Sequence, residues 1–193
     1  MNPVSFTAGE YAHVRLLNLS EDIRRVREFS FASSPQESEV WFAVDGRSKS
    51  EYQQALRSLA PGDEIEIFKI KGHMTWPPPS RDVVMIANGV GAAPFRSMLL
   101  DKVERNLSLT TTLISVARES FLYMDEFRNL AGTYLPIRRD QLAETLEEIT
   151  DEHPGAHYCV AGSSDFVLDV VQTLSDKGIV RVESDEFKGL LRE

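Results

Sequence analysis

The chain has 193 residues, 42% of them hydrophobic and 26% charged, with a formal net charge of −9 at pH 7. That length suits one large domain or two small ones, and the acidic balance excludes nucleic acid as the main partner, because phosphate binding needs a basic surface. Residues 1–80 carry 9 basic and 11 acidic groups and residues 81–193 carry 12 and 19, so the second part holds most of the excess, read as a solvated acidic face. A single cysteine, Cys159, rules out an internal disulfide and cannot alone ligate an iron–sulfur cluster. His153 and His157 are separated by Pro154-Gly155, so they do not share a helix face, and no metal site is expected. No apolar run reaches membrane-spanning length and no basic-then-apolar leader opens the chain, so a cytoplasmic location without membrane association is expected.

In chain order, the first part reads as β structure. Residues 11–17 follow the turn signal Ala8-Gly9 and form a strand candidate, with shorter candidates at 29–32 and 40–44. Ser50 with Gln53 three residues on has the form of a capping box, which predicts a helix to about residue 59. Pro61-Gly62-Asp63 turns the chain into residues 64–70, which alternate charged and apolar at strand period. Trp76-Pro77-Pro78-Pro79-Ser80 cannot continue a helix or a central strand, which sets the expected domain boundary at 78/79.

Beyond that linker the pattern alternates between strands and helices. Strands are expected at 83–87, 110–116, 156–161 and 180–183, and helices at about 94–106, 140–153 and 165–177. This is the pattern of a doubly wound parallel α/β sheet. The stretch from Val83 to Ser97 concentrates the chemistry. An apolar strand runs into Asn88-Gly89-Val90-Gly91, and Pro94 suits the first turn of a following helix. Strand, glycine turn and helix N-terminus together make an anion site fitted to phosphate, although the same pattern also fits a tight turn in any α/β protein.

Four segments in order resemble the ferredoxin–NADP reductase family of flavin oxidoreductases. Arg27-Glu28-Phe29-Ser30 resembles its Arg-x-Tyr-Ser flavin motif, and Gly89-Val90-Gly91-Ala92-Ala93-Pro94 its Gly-x-Gly-x-x-Pro nucleotide turn. Tyr158 to Ser163 resembles the late strand ending in Cys-Gly-Pro or Ala-Gly-Pro, and Glu186-Phe187-Lys188-Gly189-Leu190 the terminal Glu-x-Phe-x-Gly-Tyr. The resemblance implies two domains: an N-terminal antiparallel, Greek-key β-barrel that binds flavin (1–78), and a C-terminal NAD(P)-binding α/β domain (79–193). It implies an enzyme passing hydride from NADPH or NADH to FAD, with FMN the less favoured flavin. Electrons would leave for a ferredoxin, a flavodoxin or another redox partner.

The same resemblance assigns roles. Arg27 and Ser50 would meet flavin phosphates, Phe29 would stack on the isoalloxazine, and Ser30 would sit near flavin N5. Ser30 and Glu186 would be the catalytic residues, with Phe187 as aromatic cover. Gly89, Val90, Gly91 and Pro94 would cradle the nicotinamide dinucleotide, with Ala161, Gly162 and Ser163 beside its nicotinamide ring. Arg118 would meet a 2′-phosphate, a position that a solvent-facing arginine also explains. Phe29 stands where the family has tyrosine, Asn88 and Val90 stand in place of the frequent Gly and Thr, and Leu190 stands in place of the terminal tyrosine. Family members also carry another strand or two before Phe6-Thr7-Ala8-Gly9-Glu10. A barrel without its first strand exposes an edge, which a longer N-terminus or a homodimer would close. A non-catalytic flavin- or nucleotide-binding module, acting as sensor or subunit, is the alternative function.

Overall fold

The structure, a computed structural model, describes residues 4–20, 25–78 and 81–187, with Phe187 described by its backbone only. Arg24, Pro79, Ser80 and residues 188–190 lie outside the described residues. Two sheets form. The first is three-stranded and antiparallel in the order β2-β1-β3, from β1 (Tyr11–Leu16), β2 (Val26–Ser30) and β3 (Ile65–Lys71). β1 is central because its pattern alternates: Ala12, Val14 and Leu16 are buried while the residues between them face outward. Helix α1 (Glu51–Ser58) packs on it through Tyr52, which is 1% exposed.

The expected barrel is not closed. Among the described residues, 40–44 form no strand, only a bridge between Phe31 and Phe42. The reason lies in what the segment packs on. Trp41 accepts from the Ala32 N–H at 2.8 Å, but its own N–H goes to Ser33 Oγ at 3.1 Å and its ring lies against a guanidinium, so the pairing does not extend into a ladder.

The second sheet is all parallel in the order β6-β5-β4-β7-β8. Its strands are β4 (Val83–Asn88), β5 (Thr111–Val116), β6 (Thr133–Ile137), β7 (His157–Ser163) and β8 (Val182–Phe187). Helices α2 (Ala92–Glu104), α3 (Met124–Leu130), α4 (Leu142–Glu152) and α5 (Ser164–Asp176) cover both faces. Coverage on two faces explains why β4 reads as a continuous apolar run. Val84 and Ile86 join Tyr158 and Val160 under α4 and α5, whereas Val83, Met85 and Ala87 join Cys159 under α2 and α3. β6 and α3 fall in a stretch where no element was expected, and β8 runs four residues past its expected end. No helix among the described residues is long and apolar enough to cross a membrane.

The N-terminal part meets the second sheet at one of that sheet's two apolar clusters. Ala8 and Met74, from the N-terminal side, pack with Phe95, Met98 and Leu99 of α2. At the polar seam, Arg96 of α2 is 5% exposed at its side chain. It donates to Ala32 O at 2.8 Å, to both Glu37 oxygens at 2.9 and 3.2 Å, and to Glu126 Oε2 at 2.8 Å. Its guanidinium lies over the rings of Trp41 (4.8 Å) and Tyr123 (5.4 Å). Burial alone would raise the Glu37 carboxyl, but the bonds from Arg96 and from the Ser34 N–H outweigh it and hold the group below its ordinary value of 4.5.

Arg96→Met should therefore cost about 2–3 kcal/mol in urea denaturation, since Glu37 and Glu126 lose their cationic partner while partly buried. Arg128→Met, which breaks the exposed pair with Asp125, should cost less than about 0.5 kcal/mol; equal losses would contradict the clamp. The depressed Glu37 value means its contribution is full above pH 4.5 and is lost as pH falls through the folded-state value. Acid titration of stability should show that loss, and Glu37→Gln should flatten it.

Candidate functional site

A cleft of about 430 Å³ opens between the two sheets. It lies at the carboxyl ends of β4 and β7, the switch point where β5 and β6 extend one way and β7 and β8 the other. One wall is β2 from Arg27 to Ser30, about 10 Å of strand, with residues 43–48 and the start of α1. The other is Asn88, Gly89, Val90, Ala93 and Ser163.

Local sequence explains each position in the first wall. Tyr52 is held by donating its hydroxyl to Val14 O at 3.1 Å, and burial pushes that phenol up to about 12, so it is a fixed neutral platform. The Arg27 guanidinium lies 4.9 Å from the Tyr52 ring centroid and donates to Val26 O at 2.7 Å. Phe29 is half-buried between Phe42 and Tyr52, with ring centroids 5.9 and 6.0 Å away. Ser50 caps α1 by accepting from the Gln53 N–H at 3.3 Å. Only that half of the capping box forms. Gln53 Oε1 instead lies buried, without a hydrogen-bond partner, in the cleft lining. Arg47 also lines the cleft and is paired with Asp45 Oδ2 at 2.7 Å.

In the second wall, Gly89 to Gly91 form a 3-10 turn that leads directly into α2, so the positive end of the helix dipole sits at the cleft. Gly89 has φ +56, and a Cβ there would meet nothing within 4 Å, leaving the backbone open to a ligand. Gly91 has a different reason to be glycine: an added Cβ would fall 2.2 Å from Ala161 O, where the start of α2 crosses β7. Asn88 bonds Val116 O at 3.0 Å and ties the ends of β4 and β5. Pro94 is buried in the first turn of α2, and Ala161 and Gly162 are buried within β7. Arg118 is exposed beyond β5 and does not line the cleft.

At the seam of the cleft a carboxyl that the sequence did not single out meets Ser30. Ser30, 2% exposed, donates its hydroxyl to Asp185 Oδ2 at 3.0 Å. Glu186 does not make this bond, because consecutive residues of β8 face opposite sides of the sheet. Burial pushes the Asp185 carboxyl above the ordinary carboxylate range; the bond from Ser30 opposes this, while the Glu28 and Glu186 carboxylates add to it. A carboxyl that keeps its proton to higher pH, hydrogen-bonded to a buried hydroxyl, can hold a proton at Ser30 Oγ.

Of the expected residues, Arg27, Phe29, Ser30, Ser50, Gly89, Val90 and Ser163 come together around the cleft. Gly91, Pro94, Ala161 and Gly162 support its floor from inside the second domain. Sequence reasoning missed Arg47, Tyr52, Gln53 and Asp185. Tyr52 and Gln53 stood inside the recognised helix start, where helical spacing could have aimed them at β2.

No family model matches the chain. Over 142 residues it is 30% identical to a terephthalate 1,2-dioxygenase reductase component from Comamonas sp, covering 72% of this chain and 38% of that protein. It is 34% identical over 97 residues to the electron transfer component of a Burkholderia cepacia 2-halobenzoate 1,2-dioxygenase, covering 50% of this chain and 27% of that protein. The chain thus spans less than half the length of these curated relatives. A ferredoxin NADP+ reductase from Neisseria gonorrhoeae, solved with FAD and NADP, superposes with TM-score 0.77 at 19% identity, covering 97% of this chain and 89% of that one. A FAD/NAD-binding domain of a Vibrio cholerae nitric oxide dioxygenase gives 0.71 at 18% identity, covering 95% and 86%.

The two glycines separate by test. Gly89→Ala should fold, at a cost of about 1–2 kcal/mol for a left-handed alanine. Gly91→Ala should cost roughly 3 kcal/mol or more, because backbone atoms of β7 must move. Chemical denaturation measures both, and a harmless Gly91→Ala would contradict the close crossing.

Proposed function

We propose that this chain, which belongs to the ferredoxin–NADP reductase family, accepts hydride from a reduced nicotinamide dinucleotide onto FAD held in the cleft and passes the electrons to a separate acceptor. The observation that carries the reading is the cleft itself, which brings an arginine, an aromatic face and a buried hydroxyl on β2 against an open glycine turn of the other domain. The residues present fit a flavin nucleotide. Gln53 Oε1 is a buried acceptor awaiting a donor, and the glycine turn leaves room where a Cβ would stand. A flavin held there would supply the redox chemistry of hydride uptake and electron release.

The protein's part is binding, orientation and proton control. Arg27 would hold a flavin phosphate by a forked, charge-assisted contact, with Ser50 at the start of α1 as the second phosphate contact and Phe29 as the stacking face. Ser30, hydrogen-bonded to Asp185, would hold a proton beside the hydride-accepting atom, with Glu186 as the further catalytic carboxylate. Gly89 and Val90 would admit the dinucleotide, Ser163 would border its nicotinamide end, and exposed Arg118 would meet a 2′-phosphate, which favours NADPH over NADH. The flavin-binding and nucleotide-binding parts divide at 78/79, supported by the sheets' occupying residues 11–71 and 83–187. The acceptor is a ferredoxin, a flavodoxin or an oxygenase component in the cytoplasm, a class supported by the names of the curated relatives.

Protein incubated with FAD and gel-filtered should keep a flavin spectrum that anaerobic NADPH or NADH bleaches. A protein that stays colourless contradicts the proposal, and a retained flavin that neither nucleotide reduces supports a non-catalytic module instead. Arg27→Ala should weaken flavin retention about tenfold or more with the fold intact; unchanged occupancy would overturn the phosphate role.

A further inference from the structure

At the other end of β7, roughly 20 Å of strand from Ser163, lies a second group of chemistry-bearing side chains. His157 and Cys159 are two apart on β7 and therefore share a face. Glu183 of β8 is the direct partner of Cys159 in the parallel ladder. The His157, Cys159 and Glu183 ligand atoms all lie within 4.8 Å of one another. Cys159 is fully buried, while the His157 and Glu183 side chains are 12% and 28% exposed, leaving an entrance. His157 Nε2 is buried, lies 3.5 Å from Glu183 Oε1, and has no hydrogen-bond partner. The other carboxylate oxygen, Oε2, accepts the Thr75 N–H at 2.9 Å.

We propose that His157, Cys159 and Glu183 bind a divalent zinc ion. A buried imidazole nitrogen without a partner is costly unless something takes its lone pair. One sulfur, one nitrogen and one oxygen ligand match a borderline-soft, tetrahedral cation, with water in the fourth position. Tetrahedral zinc holds its ligand atoms roughly 3.5 Å apart, so side-chain rotation of about 1 Å closes the set. Charge balances as well: one thiolate and one carboxylate neutralise the dication, leaving no net charge in a half-buried site.

Without the ion, burial and the Glu183 carboxylate keep the thiol protonated. On binding, the S–H bond breaks, the sulfur–zinc bond forms and the proton leaves to solvent, with no change of oxidation state. Because Glu183 also holds Thr75, the ion would fasten the segment joining the two domains to the outer strands of the second sheet. The ion is therefore structural, set apart from the cleft.

The test uses the untagged full chain, stripped with chelator and titrated with zinc(II), and with cobalt(II) as the spectroscopic probe. One equivalent should bind with proton release and a raised melting temperature, and cobalt should give a thiolate charge-transfer band in the difference spectrum. Cys159→Ser should abolish the band, and His157→Gln and Glu183→Gln should each weaken zinc binding by roughly tenfold or more. All three should leave the metal-free circular dichroism unchanged; if Cys159→Ser does not fold, the two partly exposed variants decide. Absence of a thiolate band, or zinc binding that survives the substitutions, overturns the proposal.

Discussion

The Arg96 guanidinium is the constraint on which the two-domain arrangement rests. A cation this buried must have its donors satisfied. Four oxygen contacts do so, three of them from the segment that follows β2. The same helix that carries Arg96 begins at the Gly89–Gly91 turn, so pinning the helix also pins the turn. Ser34 to Glu104 at 2.9 Å and Trp76 to Asp101 at 3.1 Å extend the seam along α2. Ala8 and Met74 complete it with apolar contact. The cleft is what remains where this seam opens, and its width follows from how α2 is held.

Within the cleft, charge and desolvation are arranged along β2. Arg27 sits on a neutral, fixed Tyr52 at one end, and Ser30 meets the raised carboxyl of Asp185 at the other. A chain with an overall acidic balance thus keeps arginines at the edge of this cleft, where an anionic ligand gains from them most. The Ser30–Asp185 pair lies at the domain boundary rather than within either domain. One strand supplies the hydroxyl and another, 155 residues later, supplies the carboxyl.

What could be read from the sequence was local and periodic. The alternation in β1 and the apolar run of β4 each report burial against something fixed, and both strands form. Arg27-x-Phe29-Ser30 and Gly89-x-Gly91 were legible because each motif is contiguous. β6 was missed because Pro136 reads as a strand breaker; as an edge strand it pairs only with β5 and tolerates a missing donor. α3 begins after Tyr123 at φ +55 with no capping side chain, so no start signal exists. Residues 40–44 look like a strand, yet Trp41 is drawn to Arg96, a contact 55 positions away. Asp185 carries no motif of its own, and its bond to Ser30 depends on which face of β8 it takes, which only the register fixes. His157, Cys159 and Glu183 form no motif in the sequence for a related reason: side chains two apart on one strand, met by one from the neighbouring strand, have no spacing signature.

The central claim is that one cleft, built by both domains and held by Arg96, is the flavin site. Its most direct test is a crystal structure of the chain reconstituted with FAD. The account predicts isoalloxazine density between Phe29 and the Gly89 turn, Ser30 at its edge and a phosphate at Arg27. Flavin bound elsewhere, or density that leaves Arg27 and Phe29 without contact, would contradict it.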